Sequence, residues 1–235
     1  PLRQKAAHTA MGAPIRMSTV AQHMNTDILT LSQLLSPGFP VGAFAYSHGL
    51  ETAVNDGQIM SAATLQSWLL DLLEHGGAHS DAVLLNVAFG MAVDEVAMID
   101  AHARAFAASV ERLKETDLQG RAFCETVETV WGVELGRLCY PIAVGRTAAT
   151  LNLDPELTTA MYLQSFISNL TAAAMRLVPL GQVDGQKIQI ALKPHYTKIA
   201  KQLRSATLDD LHNSAWVSDI TSMHHETQYS RTFRT

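Results

Sequence analysis

Cysteine is scarce in this chain: 235 residues hold two, Cys124 and Cys139. That excludes a disulfide framework, and the lack of any CxxC pair excludes a finger-type zinc site. Two ordinary thiols fit a cytoplasmic protein. No apolar run reaches the ~18–20 residues of a membrane span. Charged residues are few, 17%, and the formal net charge is −5, so no basic field favours nucleic acid. Lys198, Lys201 and Arg204 are too few for a DNA-recognition helix. No acid precedes Asp27, although Arg3, Lys5 and Arg16 are present. This superficially resembles a transit segment, but it lacks the apolar core of a secretory signal. Residues 1–25 are expected to be a disordered N-terminal extension.

The chain also lacks the motifs that carry common chemistries. There is no GxGxxG, no GxSxG and no HExxH. The stretch GQVDGQK, Gly181 to Lys187, has glycines and a lysine without the spacing that wraps a phosphate. His75 and His79 stand four apart, but the intervening Gly76-Gly77 disfavours a continuous helix, so a surface or capping role is expected. The adjacent His224 and His225 would point apart on an extended chain. A hydrolase using His48 or His225 would need a nucleophile with a nearby base, and no such pair stands out. The chain therefore reads as non-catalytic, with no catalytic residue and no metal ligand.

What is present is apolar periodicity. Hydrophobic residues make up 47%, and surplus apolar surface of this kind often serves a subunit interface. Leu65, Trp68, Leu69, Leu72 and Leu73 share one helical face, with Ser61 or Thr64 as cap and Gly76-Gly77 as stop. Leu84, Val87, Ala88 and Met91 repeat the pattern after a cap expected at Ser80. Asp94 is expected to cap a helix running to about Ala108. Leu118, Ala122, Phe123, Val127, Val130 and Trp131 form a further stripe. Asp154-Pro155 starts a long helix lined by Leu163, Phe166, Ile167, Leu170, Ala174 and Leu177, and Pro179 ends it. KIQIALKPHY alternates like a strand but also fits a helix kinked at Pro194, and helix is expected because no strand–helix alternation occurs elsewhere. The fold class is all-α, a single-domain bundle of about eight to ten helices over residues 26–220, followed by a partner-binding tail, 221–235.

Two segments do not fit a plain bundle. SPGFPVGAFAYSHGLE, Ser36 to Glu51, is a Pro/Gly-rich loop that carries Phe39, Val41, Phe44 and Tyr46. HHETQYSRTFRT ends the sequence with Tyr229, Arg231, Phe233 and Arg234, residue types enriched at interface hot spots. Together with YPIAVGRTAA and SNLTAAAMRLVPLGQVDGQK, these segments resemble, in order, the UreF family of urease accessory proteins from about Asp27 onward. Ala45, Thr232 and Thr235 stand where that family more often shows serine, leucine and serine.

The resemblance implies an all-α homodimer that bridges UreD (also called UreH) and the GTPase UreG, as a scaffold for nickel insertion into apo-urease. Nickel would be cargo, GTP would be bound by UreG, and the chain would need no cofactor of its own. It implies partner-binding roles for Phe39, Tyr46, His48 and Glu51 in and after the loop, and for Arg176, Gln182, Asp184 and Lys187 around the end of the long helix. In the tail it implies the same for His225, Glu226, Gln228, Tyr229, Arg231, Phe233 and Arg234. The resemblance also implies that Tyr46 and Arg231 meet when UreD binds, locking loop and tail into one surface for UreG.

Overall fold

The computed structural model describes the backbone of residues 18–235 and the side chains of residues 26–235. Most of the expected N-terminal extension therefore lies outside the described residues. The order of α-helices is α1 (Ser18–Leu34), α2 (Leu50–Asn55), α3 (Ala62–His75), α4 (Gly77–Gly90), α5 (Val96–Ala105), α6 (Val110–Trp131), α7 (Tyr140–Thr150), α8 (Pro155–Leu177), α9 (Gln182–Gln202) and α10 (Trp216–His225). Short 3-10 turns fill several joints, and no strand occurs among the described residues. None of these helices is long and apolar enough to cross a membrane.

Local signals set the clearest boundaries. Ser61 caps α3 in a reciprocal box with Thr64, and the helix stops at Gly76. The Asp154 carboxylate accepts the Leu157 amide at 2.6 Å, with Pro155 in the first helical position. Pro194 sits inside α9. The backbone bond it removes would have gone to Ile190, which is 71% exposed, so solvent can take its place.

Other expected boundaries shift. Ser80 lies inside α4 rather than at its cap, and its hydroxyl donates to the carbonyls of Gly76 (3.3 Å) and His212 (2.9 Å). Asp94 falls in a 3-10 turn, and α5 begins after it without a side-chain cap. On α6, Val130 is 59% exposed, whereas Glu115 and Gln119 are buried. The boundary expected at residue 220 falls within α10.

Helix α4 is the axis of the bundle. Ala78 and every residue from Ser80 to Ala88 are buried, as expected for a helix covered on all sides. It packs against α3, α5, α7 and α8. The contact with α7 is close because Gly145 faces the Leu85 carbonyl, where a Cβ would collide with backbone. The α8–α9 pair and the α6–α7 pair flank this axis, and α10 lies on α2 and α6. That last placement brings the C-terminal segment beside the Pro/Gly-rich loop.

Candidate functional site

The loop answers most of its apolar content internally. Phe39 is buried, with ring centroids 5.2 Å from Phe123 and 6.3 Å from Trp131. Tyr46 is buried too, whereas Phe44 remains 66% exposed. In this conformation both rings shape the loop from within.

The tail closes over the loop along its backbone. Arg234 donates its amide to the Ala45 carbonyl at 2.8 Å, and Ser47 donates its amide to the Thr235 carbonyl at 3.0 Å. The Ser47 hydroxyl also donates to that carbonyl. Glu51 is the centre of the arrangement. Its carboxylate accepts the amides of Thr232 (2.7 Å) and Phe233 (2.9 Å) and faces His225 Nε2 at 3.3 Å. Burial alone would raise the Glu51 carboxyl, but those two amides and the imidazole bring it below its ordinary range. His225 is fully buried, and its Nδ1 lies 2.7 Å from Glu111. The second Glu111 oxygen accepts Arg231 at 2.6 Å.

One glycine allows this closure. Gly49 has φ +76°, and a Cβ there would lie 2.6 Å from the Ser222 amide nitrogen of α10. Further contacts staple the same face: Val110 N donates to Glu226 at 2.8 Å, and the Ser109 and Ser222 hydroxyls lie 2.8 Å apart. Thr52 donates to Gln228 at 3.0 Å.

Beneath the loop lies a buried ionic cluster that sequence reasoning missed. Arg112 bonds Glu115 at 2.6 Å and faces Asp81 at 3.7 Å. His48, in left-handed backbone at φ 55°, sets Nε2 2.9 Å from Glu115 and its ring edge against Phe166. Gln119 donates to Glu115 at 2.8 Å, and the Tyr162 hydroxyl donates to Asp81 at 2.8 Å. Burial would raise Glu115, but Arg112 and His48 pull it down to about 2. Burial and Arg112 lower His48, and burial raises Asp81. Serine at the N-cap (Ser109) and the Arg112–Glu115 spacing were the only local signals; both also suit an ordinary exposed helix.

A pH dependence follows from this cluster. Glu115 is lowered from 4.5 to about 2, so its contribution is complete above pH 4.5 and is lost as pH falls toward 2. His48, lowered from 6.5, acts in the same direction from a higher pH. Asp81, raised, opposes both. Urea midpoints measured from pH 7 to pH 3 are expected to fall, with about 3 kcal/mol assigned to Glu115. Glu115→Gln, which cannot charge, should flatten the slope below pH 4.5; an unchanged slope would refute the assignment.

The other expected site residues divide. Arg176 is exposed at the end of α8, and its guanidinium lies 5.8 Å from the Phe233 ring. It thus belongs to the tail surface. Gln182 and Lys187 are solvent-facing on the first turns of α9, with Lys187 3.7 Å from Asp184. They take no part in the Glu51 knot. Tyr229 is fully exposed. Here Arg231 binds Glu111, and the guanidinium near the Tyr46 phenol is that of Arg234; the Tyr46–Arg231 contact belongs to the expected UreD-bound state.

Between tail and α6 runs an open groove of about 760 Å³, lined by Tyr46, Glu111, Lys114, Leu118, Glu226, Arg231, Phe233 and Arg234. It brings both signs of charge, from Glu111, Lys114, Glu226, Arg231 and Arg234, beside the apolar Val110, Leu118 and Phe233, which suits a protein surface.

Comparison with known proteins gives a consistent picture. The UreF family model matches residues 59–193. The urease accessory protein UreF of Roseobacter denitrificans is 50% identical over 213 residues, covering 90% of this chain and 96% of that protein. The proteins of the same name from Ruegeria pomeroyi and Ruegeria sp. are 49% and 53% identical, each covering 88% of this chain and 96% and 97% of their own length.

Proposed function

The chain belongs to the UreF family of urease accessory proteins, and from that premise we propose that it is the scaffold on which the nickel-insertion assembly for apo-urease is built. It is an accessory protein rather than an enzyme. In this reading it acts in the cytoplasm as a homodimer, bridges UreD and the GTPase UreG, and modulates GTP-dependent nickel transfer. Nickel is cargo of the assembly, and GTP is a ligand of UreG.

The observation that carries this reading is the union of loop, α6 and tail around Glu51. Residues far apart in sequence are fixed together there beside one groove. The knot is buried at Glu51 and His225, and Phe44 and Tyr229 are exposed beside it. A preformed surface of this kind binds a partner without having to order its own segments, which lowers the cost of association.

The test is co-purification. Full-length chain is expected to retain UreD, and a variant lacking residues 224–235 is expected to lose it while keeping a helical circular-dichroism spectrum. Recovery of UreD with the truncated chain at the full-length yield would refute the assignment of the tail surface to UreD.

A further inference from the structure

Lysine is unevenly placed in this chain. Four of its six lysines, Lys187, Lys193, Lys198 and Lys201, lie on α9, and Arg204 follows just after it. Residues 185–206 hold those five cations and no Asp or Glu, while the remaining residues hold 12 cations against 22 carboxylates. A positive face therefore stands on a chain of formal charge −5.

Helical pitch collects these residues. One face of α9 is buried through Gly185, Ile188, Leu192, Tyr196 and Ile199, where the helix packs on α8 and α3. The opposite face carries Val183, Lys187, Ile190, Pro194, Lys198 and Lys201, at helical spacings of three and four. All six are exposed, Val183 and Ile190 by 66% and 71%. Most of the positive charge is unanswered within the chain. Asp184 lies 3.7 Å from Lys187, and Glu74 of α3 is taken by His195 at 3.1 Å. Among the described residues no carboxylate forms an ion pair with Lys193, Lys198, Lys201 or Arg204. The negative end of the helix dipole accounts for Lys201 in the last turn, but Lys193 lies beyond its reach. The Ile190 carbonyl adds an acceptor on this face, because Pro194 has no amide to bond it.

We propose that this stripe is a second docking surface, and that its occupant is a carboxylate-rich surface on a protein component of the nickel-insertion assembly. The inference rests on the scaffold reading and adds a face that the Glu51 knot does not include. Charge complementarity carries it. Lysine ammonium groups on long stems meet carboxylates while Val183 and Ile190 supply the apolar contact between them. The composition favours a protein over other polyanions. A face for single-stranded nucleic acid needs aromatic or arginine planes on which bases stack, and the stripe has neither. A membrane-surface helix turns its large apolar residues to the lipid, whereas here Ile188, Leu192, Tyr196 and Ile199 face the core. Opposite charge acts on the encounter, raising the association rate more than the final affinity.

The experiment places the photocrosslinking residue benzoylphenylalanine at Ile190 in the full-length chain and mixes it with purified UreD, UreG and apo-urease. A crosslink to one of these proteins is expected, mapping by mass spectrometry to carboxylate-rich sequence. Charge reversal in Lys193→Glu/Lys198→Glu/Lys201→Glu should cut its yield about tenfold at low salt, and about 0.5 M salt should erase the crosslink of the natural lysines. These side chains are exposed, so the variant is expected to keep its helical spectrum and, through the tail, UreD. Equal yield from the charge-reversed chain overturns the electrostatic match. A crosslink only to a second copy of this chain makes the face a self-contact and overturns the proposal. Capture by phosphatidylglycerol vesicles without a protein crosslink overturns it in favour of a membrane. Retention of UreD with no crosslink at Ile190 overturns the surface and leaves the scaffold reading standing; failure of the natural chain to bind any of the three proteins overturns both.

Discussion

Replacing Glu51 by alanine is expected to release the C-terminal tail and abolish capture of UreD, with the helical bundle still folded. The carboxylate accepts two tail amides at 2.7 and 2.9 Å and faces the buried His225. Hydrogen bonds to a charged group contribute about 1.5–3 kcal/mol each. Ordering each tail residue costs about 1–2 kcal/mol of backbone entropy. The docked tail therefore rests on a small surplus, and losing two such bonds reverses it. A loss of about 3 kcal/mol corresponds to more than a hundredfold in the docking equilibrium. Amide exchange of residues 230–235 should quicken by about that factor. Melting temperature should move little, because α10 rests on α2 and α6 at the edge of the bundle. Glu51→Gln, which keeps the shape and one acceptor, should fall between. Unchanged exchange in the tail of Glu51→Ala would show that docking rests elsewhere, and wild-type recovery of UreD would separate docking from partner capture.

Arg112→Met is expected to be the most destabilising single change considered, at about 3–5 kcal/mol. The guanidinium is held between Glu115 and Asp81, and the Glu115 side chain is 3% exposed. Removing the cation leaves Glu115 buried with its charge uncompensated. Net stability of a domain is about 5–15 kcal/mol, so this loss is a large share of the whole. At about 2–4 °C per kcal/mol for a chain of this size, the melting temperature should fall by roughly 10 °C. The double variant Arg112→Met/Glu115→Leu should recover at least half of the loss, because an apolar pair of similar volume needs no compensation. A single variant within about 1 kcal/mol of the natural protein would mean that solvent or another group screens Glu115. No recovery in the double variant would mean that the cluster stabilises through His48 and Gln119 instead.

The residue pattern alone carried the all-α class and the course of α3 and α8. Ser61, Gly76, Asp154, Pro155 and Pro179 act on backbone groups within a few residues of themselves, and the apolar stripes depend only on helical pitch. The four motifs also marked the family. Tertiary structure decided everything that needed a partner from a distant segment. Arg112 and Glu115 read as an ordinary charged turn until α4 and the loop close over them. Phe39 reads as a surface aromatic until Phe123 and Trp131 enclose it. Arg231 reads as a free tail cation until α10 and α6 bring Glu111 to it at 2.6 Å. His79 finds His212 instead of His75 because Gly76 bends the chain between the two helices. In each case the local residue pattern allows more than one partner, and only the packing of non-neighbouring helices selects among them, because burial raises the cost of any charge or donor left without one.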